Sequence, residues 1–351
     1  MALTVLSVAY PLAPVGPGAV GGAEQILSQL DRALVAAGHT SLVLACEGST
    51  VAGTLIEMPM PRGELDDDAK RAAQARHRAA IADALQRHKV DLVHLHGIDF
   101  MEYLPDPGVP VLATLHLPPA WYPDATWEIA RPDTWLHPVS DSQRLQCPPC
   151  GNLLAPIPNG VPVDDLDWRG RTGGFVSSLG RICPEKGFEH AIDAAERAGV
   201  PLFLAGRVYP YRTHLDYFDS VLKPRLGPRV RFLGPMGLHP KRRLMGMSRA
   251  VLIPSLCQET SSLTAMEAMA CGTPVVAFRS GALPEVVEHG LTGFIVDDAA
   301  QMADAIHDCS RLDRDACRAA ARARYSLDAM AARYLSVYAD LAGQRAAAGA
   351  A

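Results

Sequence analysis

The sequence predicts an α/β protein built from two parallel-sheet domains, and three observations support this prediction. Short apolar strands alternate with helices along the chain, which is the pattern of a parallel sheet. The chain has 351 residues, of which 48% are hydrophobic, and this is enough for two domains with sizeable cores. A polar segment without apolar periodicity, residues 162–170, precedes Gly173-Gly174, and we expect it to be a domain boundary and hinge.

The predicted strands form two sets, one in each half of the chain. In the first half they are Thr4–Ala9, Ser41–Ala45, Leu92–Leu95, Val111–Leu115 and Trp135–Val139, with helices near Ala23–Ala37 and Asp67–His88. In the second half they are Phe175–Leu179, Pro201–Ala205, Val230–Leu233, Ala250–Ile253, Val275–Ala277 and Phe294–Val296, with helices at Phe188–Ala198 and Thr264–Ala270.

Composition and charge narrow the class of protein. A formal net charge of -5 gives no reason to expect a nucleic-acid partner. No apolar run approaches the roughly 18 residues of a membrane span, and the apolar N-terminus lacks the basic flank of a signal peptide. The eight cysteines are scattered, so we expect free thiols and a cytoplasmic protein. Cys147-Pro-Pro-Cys150 has no second ligand pair for zinc, and we interpret it as a surface loop.

Two glutamates near a helix start are the strongest functional signal. Glu259 and Glu267 follow an apolar strand that ends at Ile253-Pro254. Eight residues of helix span roughly 12 Å, comparable with the separation of two hydroxyl-bearing rings joined by a diphosphate. Carboxylates accept strong hydrogen bonds from hydroxyl groups, so the pair fits a polyhydroxylated ligand. Either glutamate alone would more often serve only the helix dipole.

Two basic residues follow another predicted strand. Arg181 and Lys186 lie between the strand Phe175–Leu179 and the helix Phe188–Ala198. Doubly wound sheets hold ligands at this end of their strands, and a helix N-terminus favours phosphate. The pair therefore fits a diphosphate, although two cations in a loop taken alone are more often solvated surface residues.

Together these segments resemble the family 4 (group 1) glycosyltransferases, which have the GT-B architecture of two Rossmann-like parallel-sheet domains facing across a cleft. The family's G-R-x-x-x-x-K-G loop corresponds to Gly180-Arg181 with Lys186-Gly187, and its E-x7-E element to Glu259 with Glu267. Weaker matches are Gly21–Glu24, Asp91–Gly97, Thr114–His116, Val139-Ser140, Pro158–Val161 and Tyr325–Tyr338.

The resemblance implies how the chain is divided into domains. It implies an N-terminal acceptor-side domain over residues 1–165 and a nucleotide-sugar-binding domain over 170–325. It also implies a closing helix over 326–345 that packs back toward the N-terminal domain.

Many relatives have Pro-Phe-Gly after the first glutamate, where this chain has Thr260-Ser261-Ser262. These small polar residues leave backbone amides accessible and could cap the helix, so the departure bears on donor preference.

The resemblance further implies a reaction, the transfer of a sugar from a nucleoside diphosphate sugar to an acceptor hydroxyl with retention of anomeric configuration. Glu267 would bind the ribose and Glu259 the transferred sugar. Arg181 and Lys186 would bind the diphosphate and stabilise it as it leaves, which would be the main catalytic effect. The other expected donor-site residues are Gly180, the Ser262 and Leu263 amides, Gly21, Gly22, and His116 as a sugar or phosphate contact.

The donor, the acceptor and the class of enzyme stay partly open. UDP-sugars are favoured over GDP- or ADP-sugars, the acceptor is unknown, and no cofactor or essential metal is expected. A GT-B nucleotide-sugar epimerase and a binding module without turnover are alternatives. A dinucleotide-dependent Rossmann enzyme is a weaker one: Gly16–Gly21 spells G-x-G-x-x-G and Glu47 ends the second strand, but Tyr10–Val15 separates the motif from its strand.

Two acidic runs and three histidines have the residue types of metal sites. Asp66–Asp68 begins a predicted helix, where acids complement the dipole, and Asp165–Asp167 falls in the predicted hinge. His94 and His96 share one side of a strand, and His116 ends the next one. We expect these histidines to be polar residues with hydrogen-bond partners at strand ends and not zinc ligands.

Membrane contact and acceptor binding have only weak signals. The helix Asp67–His88 is basic, with alanines at helical spacing. Weak peripheral contact with an anionic bilayer is left open, but an alanine face is too small for strong insertion. The acceptor would meet the loops Gly48–Arg71 and Pro118–Arg131, where Trp121, Tyr122 and Trp127 could stack on it or pack in the core.

Overall fold

The computed structural model describes residues 2–19, 21–60 and 66–348 of the chain. These residues divide into two compact units. The first unit lies within Met1–Ile157 and Met330–Ala351, and the second is Pro158–Ala329. Each unit holds a six-stranded parallel sheet, so the prediction of an α/β protein with two parallel-sheet domains is confirmed.

The sheet of the first unit consists of β1 (Thr4–Val8), β2 (Thr40–Cys46), β3 (Thr54–Met58), β4 (Leu92–Leu95), β5 (Val111–Leu115) and β6 (Thr134–Pro138). Its order is β3-β2-β1-β4-β5-β6, and all neighbouring pairs are parallel. The chain order therefore reverses between β1 and β4, as in a doubly wound sheet.

The sheet of the second unit consists of β7 (Val176–Leu179), β8 (Leu202–Ala205), β9 (Val230–Phe232), β10 (Val251–Ile253), β11 (Val275–Phe278) and β12 (Gly293–Val296). Its order is β12-β11-β10-β7-β8-β9, which repeats the topology of the first sheet. The chain order reverses between β7 and β10.

The helices connect successive strands. In the first unit they are α1 (Gly22–Ala36), α2 (Asp67–Arg87) and α3 (Asp141–Gln146). In the second they are α4 (Val163–Leu166), α5 (Phe188–Arg197), α6 (Arg212–Tyr217), α7 (Leu238–Met247), α8 (Leu263–Ala270), α9 (Leu283–Val286), α10 (Ala299–Asp308) and α11 (Arg314–Tyr325). The last helix, α12 (Leu327–Ala348), contains the second boundary between the units. No described helix has both the length and the hydropathy needed to cross a membrane.

Central strands are buried on both faces, which explains why their sequences are mainly apolar and do not alternate with polar residues. Every residue of β4 and β5 is buried. In the second sheet the two faces enter different clusters: Leu252 packs with α5 and α10, whereas Val251 packs with α8 and α11. Each face is covered by helices, so the polar positions that remain accessible lie at the strand ends.

Helix α12 is held in the first unit by two buried tyrosines. Tyr334 and Tyr338 are fully buried. The Tyr338 hydroxyl lies 2.7 Å from His94 Nδ1, and the Tyr334 hydroxyl lies 3.4 Å from Thr114 Oγ1. These contacts explain why residues from Met330 onward group with the first unit, although the chain reaches them last.

One strand of the first sheet was missing from the sequence prediction. β3 occupies part of the predicted acceptor loop Gly48–Arg71, of which residues 61–65 lie outside the described residues. The strand is only partly buried and lies at the sheet edge. An edge strand contributes few core residues, so its sequence lacks the apolar run that marked the other strands.

The segment predicted to be a hinge, residues 162–170, lies inside the second unit. It contains α4, whose Val163 and Leu166 are buried in the core. Arg318 donates to the Trp168 carbonyl and pairs with Asp167 at 3.0 Å. The division between the units falls earlier, after Ile157. The polar residues of this segment pair with Arg318, which is partly buried. Amino-acid composition alone does not distinguish such a segment from a solvated linker.

Candidate active site

The loops that follow β7 and β10 begin side by side at the point where the second sheet reverses its order. β7 pairs with β8 on one side and with β10 on the other. Open α/β sheets hold their ligands at this position, outside the carboxyl ends of the strands. All the predicted site residues of the second half lie in these loops or in α8: Gly180, Arg181, Lys186, Glu259, Ser262, Leu263 and Glu267.

Lys186 and Glu259 form an ion pair between the two loops. Lys186 Nζ donates to Glu259 Oε1, and Ser255 Oγ donates to the same oxygen at 2.6 Å. The side chain of Glu259 is 10% exposed and that of Lys186 26% exposed. One face of each group thus remains accessible, although both charges are held by protein contacts.

The electrostatics of this pair keep both groups charged. Burial would lower the pKa of Lys186, but the Glu259 carboxylate outweighs this effect and raises it. Burial would raise the pKa of Glu259, but Lys186, Ser255 and Arg181 together hold it below its ordinary value. The site therefore presents a fixed ammonium and a fixed carboxylate, which act on a ligand without prior reorganisation.

A second lysine–glutamate pair forms around Glu267. Lys241 Nζ in α7 donates to Glu267 Oε1 in α8. The side chains of Lys241 and Glu267 are 18% and 7% exposed. Lys241 has no signal in the sequence, because it lies 26 residues from its partner in a basic run that resembles any surface helix.

Glu259 lies in the loop before the helix that carries Glu267, in agreement with the predicted helix Thr264–Ala270. α8 begins at Leu263, and Glu259 lies in the preceding loop. Ser262 separates them with φ of 63° and ψ of 73°, a left-handed conformation that is rare outside glycine. The rigid-helix spacing of roughly 12 Å therefore does not apply to the pair.

The sequence suggested that one of the small polar residues before α8 could cap the helix, but the side chain of Ser262 does not do so. It occupies the N-cap position without a side-chain hydrogen bond to the helix, because its left-handed backbone departs from the extended conformation of a capping serine. Its carbonyl accepts from the Ala265 amide at 3.0 Å. The first amides of α8, as at any helix start, have no acceptor within the helix.

The loop that carries Glu259 is held from behind by the loop that follows β11. The Ala282 amide donates to the Glu259 carbonyl at 2.7 Å, and the Gly281 amide donates to Gln258 Oε1 at 2.9 Å. Gly281 has φ of +53°, and a Cβ there would lie 2.1 Å from the Glu259 carbonyl oxygen. Gly281 is therefore a point of close approach between these loops, and no pattern in the sequence predicted it.

Replacing Gly281 with alanine is expected to destabilise the second unit and displace Glu259. We expect a loss of about 2–3 kcal/mol in the free energy of unfolding, from the left-handed backbone and the backbone collision together. Urea denaturation measures this loss. Gly290→Ala is the matched control, since Gly290 has φ of +82° but open space around it, and we expect about 1 kcal/mol. Equal losses in the two variants would refute the close-approach argument.

Arg181 lies beside the Lys186–Glu259 pair. Its charge contributes to the low pKa of Glu259. Burial would lower the pKa of Arg181 itself, but Cys183 and Glu185 raise it. The two predicted cations thus stand near one carboxylate at the switch point.

The other predicted site residues lie in the first unit. Gly21 is the N-cap of α1 and Gly22 is its first residue. A Cβ at Gly21 would collide with the Glu24 carboxylate at 1.9 Å. His116 follows β5, and its Nε2 lies 3.0 Å from His96 Nδ1. These residues are not brought together with Lys186 and Glu259 within one unit.

His94, His96 and His116 form a cluster with aromatic neighbours in the first unit. His94 lies between the Tyr338 hydroxyl and Thr114 Oγ1, each at 2.7 Å, as expected for a strand-end polar residue with partners. His96 and His116 stack with ring centroids 5.2 Å apart. Burial lowers the pKa of His116 to about 4, so the imidazole is neutral at physiological pH.

The acidic runs have structural partners. Asp66 caps α2 by accepting from the Ala69 amide at 2.8 Å, which confirms the helix-cap interpretation of this run. Asp167 is paired with Arg318, as described above. None of the eight cysteines forms a disulfide. Within the described residues, one group of three side chains has a metal-binding arrangement, and it consists of Cys183, Glu185 and His214.

Solved structures share this fold over the length of the chain. AviGT4, a glycosyltransferase involved in avilamycin A biosynthesis, is 23% identical with a TM-score of 0.73 and covers 97% of this chain and 98% of its own. The Anabaena protein HepE in complex with UDP-glucose is 19% identical with a TM-score of 0.73, over 96% and 100% of the two chains. With the paired six-stranded sheets, these similarities define a protein of the GT-B class.

Sequence comparisons define the family. The model for "Glycosyl transferases group 1" matches residues 171–311, and that for "Glycosyltransferase Family 4" matches residues 20–145. D-inositol 3-phosphate glycosyltransferase of Mycobacterium tuberculosis is 37% identical over 175 residues, which are 46% of this chain and 34% of the relative. The chain thus spans about a third of the length of this curated relative. The chain belongs to the family 4 (group 1) glycosyltransferases.

Proposed function

We propose that this chain transfers a sugar from a nucleoside diphosphate sugar to an acceptor hydroxyl, with retention of anomeric configuration. The observation that carries this proposal is the pair of lysine–glutamate contacts at the switch point of the second sheet, Lys186–Glu259 and Lys241–Glu267. The side chains of Glu259 and Glu267 are 10% and 7% exposed. Each nevertheless lies where a ligand of this fold would bind.

The proposed step is loss of the diphosphate from the sugar. As the bond between the anomeric carbon and the phosphate oxygen breaks, negative charge grows on the diphosphate. Arg181 and Lys186 stabilise this charge, and Glu259 orients hydroxyls of the sugar. The acceptor hydroxyl adds its oxygen to the anomeric carbon and loses its proton, which the departing phosphate oxygen accepts. Because the two side chains supply the positive charge, the step needs no metal ion.

The proposed role of Glu267 is to bind the ribose hydroxyls of the nucleotide. Its free acceptor positions suit a pair of hydroxyls, and Lys241 holds its orientation. The proposed roles of Gly21, Gly22 and His116 rest on the family resemblance alone. Free thiols support our placement of the reaction in the cytoplasm.

UDP-glucose is the first donor to test, because the structurally similar HepE is described in complex with UDP and with UDP-glucose. We would screen UDP-, GDP- and ADP-sugars for thermal stabilisation, then measure turnover with the best donor. Anomeric configuration of the product is determined by NMR. Release of nucleoside diphosphate with a sugar of retained configuration supports the proposal. An epimerised nucleotide sugar with no free diphosphate would instead support the epimerase, and an inverted product would refute retention.

Glu267→Gln is expected to weaken nucleotide binding. The amide keeps the shape of the side chain but loses its charge, and hydrogen bonds to a charged group contribute about 1.5–3 kcal/mol. We therefore expect the Kd of the nucleoside diphosphate to rise by roughly 10–100-fold, measured by calorimetry.

The control for this variant is Glu288→Gln, an exposed glutamate of the same unit that should leave the Kd unchanged. An unchanged Kd in Glu267→Gln, with the fold intact, would count against ribose binding at this residue.

A further inference from the structure

The loop that follows β7 and the helix α6, which follows β8, bring together three side chains of types that ligate zinc. Cys183 is fully buried and His214 is 7% exposed, whereas Glu185 is partly exposed. Their ligand atoms all lie within 4.8 Å of one another. A thiolate, an imidazole and a carboxylate are the donor groups that zinc prefers, and three protein ligands with one open position form a common zinc arrangement.

The backbone holds these side chains in place from the loops that follow β7 and β8. Cys183 precedes the 3-10 turn Pro184–Lys186, and the Ile182 amide donates to the Arg207 carbonyl at 3.0 Å, which joins the loops. The Glu185 carbonyl accepts from the Leu256 amide at 2.9 Å. Because the backbone is fixed, side-chain rotation alone would have to bring the three atoms onto an ion.

One nitrogen of this group, His214 Nδ1, is buried without a hydrogen-bond partner among the described residues. Glu185 Oε2 is buried as well, but the Cys183 thiol acts as a hydrogen-bond donor to the Glu185 carboxylate and helps to lower its pKa. A buried polar atom without a partner is costly and calls for an explanation such as an ion. This observation is independent of the distances between the ligand atoms, and it points to a bound group.

We propose that Cys183, Glu185 and His214 bind one zinc ion beside Arg181. Zinc ligands in a tetrahedral site lie about 3.5 Å apart, so ligand atoms that lie within 4.8 Å of one another have to close by no more than about 1 Å, which rotation of the partly exposed Glu185 permits. A thiolate and a carboxylate neutralise the dication, and Arg181 can donate to the thiolate. Magnesium is excluded as the occupant because it prefers oxygen ligands.

The zinc ion would join the loop after β7 to α6 and would take no part in sugar transfer. The proposal does not depend on the reaction proposed above. Its test therefore measures metal binding and not turnover. If one proposal fails, the other is unaffected.

The test uses Zn²⁺ and Co²⁺ with the full chain after treatment with a chelator. We expect one Zn²⁺ per chain with a Kd of about 1 µM or tighter by calorimetry, and no binding of Mg²⁺. Co²⁺ should give the near-ultraviolet absorption band of a cobalt–thiolate bond. Cys183→Ser should abolish the band, and His214→Ala should weaken Zn²⁺ binding by at least about tenfold.

Cys150→Ser is the matched control, because Cys147 and Cys150 are another pair of thiols that could hold the metal. The proposal predicts that this variant retains the band. Loss of the band in Cys150→Ser, its persistence in Cys183→Ser, or the absence of stoichiometric Zn²⁺ would each overturn the proposal. If Cys183→Ser does not fold, His214→Ala decides alone, and unchanged Zn²⁺ affinity in that variant would overturn it.

Discussion

Lys186→Ala is expected to reduce kcat/KM for sugar transfer by about 10²–10³-fold. Lys186 Nζ pairs with Glu259 Oε1, and its charge is one of the two proposed to neutralise the departing diphosphate. Its removal takes away a stabilising charge from the transition state, and it also leaves the buried Glu259 without its main partner. Steady-state kinetics with the donor identified by screening measures the loss.

The variant must be shown to be folded before the loss is interpreted. We expect the free energy of unfolding to fall by about 1–3 kcal/mol, the cost of an unsatisfied buried polar group. Lys186→Met, which keeps the packing of the stem, serves if the alanine variant unfolds. Lys223→Ala is the control, since Lys223 is 64% exposed and pairs only with its helical neighbour Asp219. Near-native turnover in a folded Lys186 variant would refute the proposed diphosphate role.

Mild acid is expected to destabilise the first unit through its buried histidines. Burial lowers the pKa of His77 and His116 to about 4 and that of His137 to about 3. Burial also holds the pKa of His94 and His96 well below the ordinary value. The unfolded chain protonates each of them near pH 6.5, whereas the folded unit does not. Stability is therefore complete above about pH 6.5 and is lost as the pH falls toward about 4.

The expected size of this effect is large. Each such histidine lowers the free energy of unfolding by about 1.4 kcal/mol per pH unit within this window. The group together therefore lowers it by several kcal/mol between pH 7 and pH 5.5. Urea denaturation at both pH values measures the loss. His137→Gln should reduce the number of protons taken up on unfolding in this pH range by about one. His88→Gln, at an exposed position, should leave that number unchanged. Equal stability at pH 7 and pH 5.5 would show that these histidines are not held neutral by the fold.

The sequence predicted most of the fold because the central strands of a parallel sheet are buried and therefore mainly apolar. The predicted bounds of Leu92–Leu95 and Val111–Leu115 are those of the structure. The half-exposed Thr54–Met58 was missed because it lacks that pattern. The segment 162–170 was assigned to a hinge because its charged residues mask the two apolar side chains that anchor it in the core.

The candidate site was predicted only where its residues are close together in the sequence. Arg181 and Lys186 share one loop, and Glu259 and Glu267 flank one helix start. Lys241 and Gly281 reach the same region from α7 and from the loop after β11, and only the strand order brings them there. The left-handed turn at Ser262 had no signal either, because serine is not a residue type that marks such a turn.

A crystal structure of the chain with a bound UDP-sugar is the most direct test of where the donor binds. We predict that the diphosphate lies within hydrogen-bonding distance of Arg181 and Lys186, with the ribose hydroxyls on Glu267 and the sugar hydroxyls on Glu259. A nucleotide bound away from the carboxyl ends of β7 and β10, without contact to these four side chains, would contradict the account.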